Sequence, residues 1–113
     1  MHELSVTQSV LDIALAHAEQ AGADRVVRIY LTIGALSGIV DESVQFYFDF
    51  VARDTIAEGA GLVFDRQPAQ FRCKACGATY EPQDEDWSCP LCGEMQPEVV
   101  GGRAFRVDSI EVA

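Results

Sequence analysis

A chain of 113 residues with 49% hydrophobic and 23% charged residues has the makeup of a soluble globular protein of one domain with a small appended unit. No apolar run approaches the roughly 20 residues that span a bilayer, and an acidic start, Met-His-Glu, is unlike a signal peptide, so a cytoplasmic protein without membrane attachment is expected. Eighteen acidic against eight basic residues give a formal charge of −10, which disfavours binding to the polyanionic backbone of nucleic acid.

Ser5 to Ala21 has helical periodicity. Val6, Val10, Ile13 and Ala14 form an apolar stripe widened by Leu11, Leu15 and Ala18. Ser5 and Gln8 suit a capping box, and Gly22 suits the position that ends the helix. His17 reads as a boundary or solvated residue, with no second ligand-type side chain placed beside it. Val26 to Ile33 alternates as a strand, with Val27, Ile29, Leu31 and Ile33 on one face. Asp41 is the expected N-cap of a second helix that buries Val44, Tyr47, Phe48 and Val51. The aromatics between Phe46 and Phe50 are expected in the core. A short strand from Leu62 to Arg66 and a last one from about Ala104 to Val112 follow.

Between these strands lies the cysteine segment, Phe71 to about Pro97, which is too short to bury a core of its own. All four cysteines fall in two C-x-x-C-G knuckles, Cys73 to Gly77 and Cys89 to Gly93, with twelve residues between Cys76 and Cys89. Two intervening residues bring both sulfurs of a knuckle to one ion, and the following glycine adopts positive φ so that N–H groups point at sulfur. Without export the thiols stay reduced, which argues against two disulfides. Four thiolates suit structural Zn²⁺. Iron fits the same geometry, and Cys89-Pro90-Leu91-Cys92-Gly93 resembles a rubredoxin knuckle, although most of this chain lies outside the ribbon. Four protein ligands leave no position for substrate water, so the chain does not read as an enzyme.

Met1-His2-Glu3 is the second constellation. A bulky residue at position 2 keeps Met1 in place. The Met1 amine and the His2 amide then close a five-membered chelate, and the same amide with Nδ1 of His2 closes a six-membered one. Three coplanar nitrogens with a fourth position open favour Ni²⁺ or Cu²⁺. Taken alone, His2 reads more readily as a solvated terminal residue than as a ligand.

Met1-His2-Glu3-Leu4-Ser5, the strand ending in Ile33-Gly34, Ala35-Leu36-Ser37 before a helix, and the two knuckles together resemble the HypA/HybF family of [NiFe] hydrogenase nickel-incorporation proteins. The resemblance covers essentially all 113 residues. It implies an α+β fold: a small mixed sheet with two helices as a nickel lobe, residues 1–70 and 98–113, and an inserted zinc-ribbon lobe, residues 71–97. It implies a nickel metallochaperone with His2 as the key nickel ligand, Met1 and Glu3 close by, and Cys73, Cys76, Cys89 and Cys92 as zinc ligands. The implied partners are a HypB-type maturation GTPase and the hydrogenase large-subunit precursor. Some relatives carry histidines around the knuckles, and this chain has none after His17. The competing reading is a zinc-ribbon interaction module of a transcription or translation assembly, for which Arg72 and Lys74 are offset by Glu81, Asp84, Glu85, Asp86 and Glu94.

Overall fold

The computed structural model describes residues 2–83 and 86–113, with the His2 side chain, Asp84 and Glu85 outside the description. In chain order the elements are α1 (His2–Gln20), β1 (Val26–Gly34), α2 (Asp41–Val51), β2 (Gly61–Gln67), β3 (Gln70–Cys73), β4 (Thr79–Tyr80), β5 (Pro97–Gly101) and β6 (Phe105–Val112). They form two three-stranded sheets, ordered β2-β1-β6 and β4-β3-β5. The first sheet is mixed. β1 and β2 run parallel, as strands joined through a crossover helix do, and β6 returns antiparallel to β1. The expected α+β class with two helices and a small mixed sheet is therefore present.

α1 buries Val10, Leu11, Ala14 and Ala18 against the sheet and α2. Ile13, expected on this stripe, is 42% exposed, because the covered face is centred on Leu11 and Ala14 instead. The expected Ser5–Gln8 capping box does not form. The helix begins before Ser5, so Gln8 reaches forward to Asp12 and the Ser5 carbonyl accepts the Ser9 hydroxyl. Gly22 ends the helix at φ 66°, and Ala23 N–H closes back onto the Ala18 carbonyl at 3.0 Å.

β1 lies at the centre of its sheet and departs from strict alternation. Register shifts between Val26 and Arg28 and between Tyr30 and Leu31 turn Val26, Ile29 and Leu31 into the core and leave Val27 half-buried. The face of the sheet away from the helices is polar: Arg28 pairs with Glu111 at 2.6 Å, and Arg106 with Asp108 at 2.8 Å. In α2 the N-cap is Val40, not Asp41; Asp41 is the first helical residue, and its carboxylate pairs with Arg66. Val44 and Phe48 are buried and Tyr47 and Val51 half-buried. Phe46 and Phe50, expected in the core, are 71% and 62% exposed, because the sheet and α1 cover one side of α2 alone.

The strands β3, β4 and β5 are too short for periodicity to reveal. Phe71, Cys73, Tyr80 and Cys89 form a second buried cluster, with Leu36, Ala78 and Val99 packed against it. Phe71 meets Tyr80 and Trp87 edge-on, with ring centroids 5.8 and 5.0 Å apart. The molecule measures 55 × 26 × 16 Å with a radius of gyration of 17.8 Å. A compact chain of this length would have about 13 Å, so two cores stand apart rather than merging. Where the chain passes between them, the β1–α2 loop ties down both crossings. Ala35 N–H donates to Gln67 O at 2.9 Å, Leu36 N–H to Gly102 O at 2.6 Å, and Gly34 N–H to Ala104 O at 2.7 Å.

Candidate metal centre

β3 ends on Cys73, and the turn after it carries Cys76. The second knuckle folds back so that Cys89 enters the same buried cluster. All four Sγ atoms lie within 4.8 Å of one another, with Cys73 to Cys92 at 3.5 Å and Cys76 to Cys89 at 3.6 Å. An ion held at about 2.3 Å by a tetrahedron of sulfurs sets them about 3.8 Å apart, so the spacing fits Zn²⁺. The donor set fits as well: four soft sulfurs, no carboxylate and no imidazole. Among the described residues, no other group of three or more histidines, cysteines or carboxylates could hold an ion.

The two knuckles repeat one backbone design. Gly77 and Gly93 sit at φ 79° and 80°, as the motif requires. Their N–H groups donate to Cys73 O at 2.7 Å and Cys89 O at 2.8 Å. The strand side closes with Cys73 N–H to Ala78 O at 2.8 Å and Cys89 N–H to Glu94 O at 2.9 Å. Ala78 N–H then donates to the Cys76 sulfur and Glu94 N–H to the Cys92 sulfur, while Cys92 and Leu91 N–H converge on Cys89. These donors favour thiolate.

Their effect on proton affinity is uneven, because four thiols share one small volume. Cys89 is pulled down to about 7, first by the Cys92 N–H and then by Leu91, against the cost of burial. The Glu94 N–H pulls Cys92 in the same direction, but burial and the neighbouring sulfurs outweigh it, and Cys92 is pushed up to about 12. Several thiolates cannot crowd together without a counter-charge, and a divalent cation supplies one. Burial first, and then the Cys89 charge, also holds the Tyr80 hydroxyl above its ordinary value. That hydroxyl donates to Trp87 O at 2.6 Å, fixing the chain just before the second knuckle.

Cys73 and Cys89 are buried and Cys76 and Cys92 exposed, so the centre opens to solvent on one side. All four sulfurs are free of disulfides and all are available as donors. With four protein donors the coordination sphere closes, and the centre organises the lobe rather than activating water.

The residues at the start of the chain are placed differently. Met1 and the His2 side chain, expected at a nickel site, lie outside the described residues. Glu3 sits in the first turn of α1, half-buried, and accepts a long hydrogen bond from Val40 N–H at 3.4 Å, next to the start of α2. His17 is exposed in the last turn of α1, where it lines a cavity of about 150 Å³ with Ile13 and residues of β6. The sequence offered no reason to single out Tyr80 or Trp87, and Leu36 entered only within the Ala35-Leu36-Ser37 motif; their roles around the cysteines arise from contacts between distant segments.

The HypA family, described as hydrogenase/urease nickel incorporation, metallochaperone, matches residues 1–112. A hydrogenase maturation factor HypA of Dehalococcoides mccartyi is 46% identical over 112 residues, covering 99% of this chain and 94% of the relative. Another, of Caldanaerobacter subterraneus, is 43% identical over 113 residues and covers 99% of both chains. Two solution structures share the fold. One titled HypA protein has a TM-score of 0.74 and 23% identity, covering 100% of this chain and 97% of the other. The Ni metallochaperone HypA from Helicobacter pylori has a TM-score of 0.64 and 21% identity, covering 97% and 96%.

Proposed function

The chain belongs to the HypA family of hydrogenase/urease nickel-incorporation metallochaperones, and on that premise we propose that it binds Ni²⁺ at its N-terminus and delivers it to the [NiFe] hydrogenase large-subunit precursor. The observation that carries this reading is the match of the family along residues 1–112, with Met1-His2-Glu3 at its start. The Met1 amine, the His2 amide nitrogen and Nδ1 of His2 supply fused five- and six-membered chelate rings, which suit the planar nitrogen coordination of Ni²⁺. Glu3 is the supporting residue; it accepts a hydrogen bond from Val40 N–H beside the start of α2.

A carrier has to be selective and still release its ion. A mononuclear site with few protein ligands and an open position lets an acceptor's donors replace the carrier's one at a time. Cys73, Cys76, Cys89 and Cys92 are assigned as ligands of a resident zinc, which supplies folding energy to the lobe built on β3, β4 and β5; the two helices with β1, β2 and β6 form the nickel lobe. The chain performs no catalysis in this scheme. It works in the cytoplasm with a HypB-type maturation GTPase and does not engage nucleic acid.

The test is nickel titration of an untagged chain beside two variants, His2→Ala and a chain with one residue added before Met1. Both are expected to lose nickel affinity while keeping their zinc. A carboxylate site elsewhere would ignore the extension. Undiminished binding by the extended chain, with no histidine in the added residue, would refute the amine chelate.

A further inference from the structure

α2 is apolar on two sides, and the fold covers one. Val44 and Phe48 are fully buried beneath it. At 100° per residue, Glu42, Phe46, Asp49 and Phe50 fall on the opposite side, and Arg53 follows in the turn just past the helix. Phe46 and Phe50 are the most exposed of the phenylalanines, yet neither stands alone. Phe46 meets the Tyr47 ring edge-on at 5.5 Å, and the Arg53 guanidinium lies 5.0 Å over the Phe50 ring. Glu42, Phe46 and Phe50 make an i±4 row, the kind of ridge that packs into the grooves of another helix.

We propose that this outer face of α2 is a docking surface for a basic amphipathic helix of a partner protein. The partner's aliphatic residues seat on Phe46 and Phe50, and lysines or arginines flanking them meet Glu42 and Asp49. Charge selects this occupant. Glu42 and Asp49 have no ion pair among the described residues, and Asp49 accepts a 2.8 Å bond from Gln45 Nε2 that orients its carboxylate on the helix surface. Arg53, the one cation on this face, is engaged with Phe50. A second copy of the chain would bring the same two carboxylates against each other on a molecule that already carries −10. None of the residues assigned to nickel or zinc takes part, so the proposal stands apart from the nickel reading.

The test uses the zinc-loaded full chain and a synthetic helical peptide with leucine at i, i+3, i+4 and i+7 and lysine elsewhere. A control peptide carries glutamate in place of lysine. Calorimetric titration is expected to show saturable binding of the lysine peptide and none of the glutamate peptide. The double variant Phe46→Ala/Phe50→Ala, whose net charge is unchanged, is expected to bind about tenfold or more weakly. Glu42→Gln/Asp49→Asn is expected to weaken binding and to flatten its salt dependence. Both pairs sit on the surface, so the variants should melt as the parent does. Equal binding by the phenylalanine variant would mean that bulk charge alone attracts the peptide, and would overturn the proposal. So would absence of binding by the parent chain, or a dimer in sedimentation that the phenylalanine variant abolishes.

Discussion

Gly34, the last residue of β1, lies against Gly102 with no room for a side chain between them. A Cβ on Gly34 would overlap the Gly102 carbonyl, and one on Gly102, at φ 99°, would come within 2.7 Å of Ala69 Cα. This contact sits where the chain passes between the two cores, beside the hydrogen bonds from Gly34, Ala35 and Leu36 to Ala104, Gln67 and Gly102. The two lobes are thus joined by backbone packed on backbone, which yields less than side-chain ends do.

Gly34→Ala is therefore expected to destabilise the protein by about 1–3 kcal/mol, the usual cost of forcing volume into a packed site. It should also loosen the relative placement of the lobes, visible by small-angle scattering as a change in radius of gyration. Gly38→Ala is the control. It sits at φ 76° with nothing within 4 Å of its Cβ, so it should cost about 1–2 kcal/mol of backbone strain and leave the shape unchanged. Equal scattering curves for both variants would refute the role assigned to the neck.

Cys89→Ser should weaken zinc retention by more than about 100-fold, because Cys89 is buried and collects two N–H donors. Hydrogen exchange should then speed up across β3, β4 and β5. β1, β2 and β6 should stay protected, since the first core contains none of the four cysteines. Loss of protection in β1 to the same degree would show that the two cores fold as one unit.

The Thr32–Asp108 hydrogen bond is expected to contribute to stability against acid. Thr32 is buried, and its hydroxyl donates to Asp108 Oδ2 at 2.5 Å. This bond, opposed by burial and aided by Arg106, holds the Asp108 carboxyl below its ordinary value. A carboxylate whose folded value lies below its unfolded one stabilises the fold fully above the unfolded value, near pH ~4, and the contribution is lost as pH falls through the folded value. Asp108→Asn should remove this part of the acid transition from urea unfolding curves measured below pH ~4. Thr32→Val should raise the Asp108 value, which NMR titration of the carboxyl would report.

Nickel binding at the proposed terminal chelate should weaken as pH drops below neutrality. An α-amine titrates near ~8 and an imidazole near ~6.5, so protons compete with the ion for both donors. Affinity that holds down to pH ~4 would point to carboxylate ligands instead. Zinc content measured on the same samples separates the two sites.

The knuckles were legible in the sequence because their geometry is local. C-x-x-C-G fixes two sulfurs and a positive-φ glycine within five residues, and Gly77 and Gly93 adopt that conformation. The C-terminal end of α1 was legible for the same reason, through Gly22, and the strand from Val26 was legible from its residue types although register shifts break its alternation. What the sequence could not supply was which apolar residue meets another surface. Ile13, Phe46 and Phe50 have core chemistry, but the sheet covers each helix from one direction, and hydrophobicity carries no information about that direction. Asp41 looked like a cap, but Val40 takes that position; Asp41 Oδ1 accepts Glu42 N–H at 2.9 Å and its other oxygen pairs with Arg66. Likewise Leu36 enters the cluster around Cys73 and Cys89 because Gly34 and Gly102 can touch. Metal-binding chemistry could be read from the sequence because neighbours in the chain create it. The union of the lobes depends on contacts across some seventy residues, and folding in three dimensions alone brings those together.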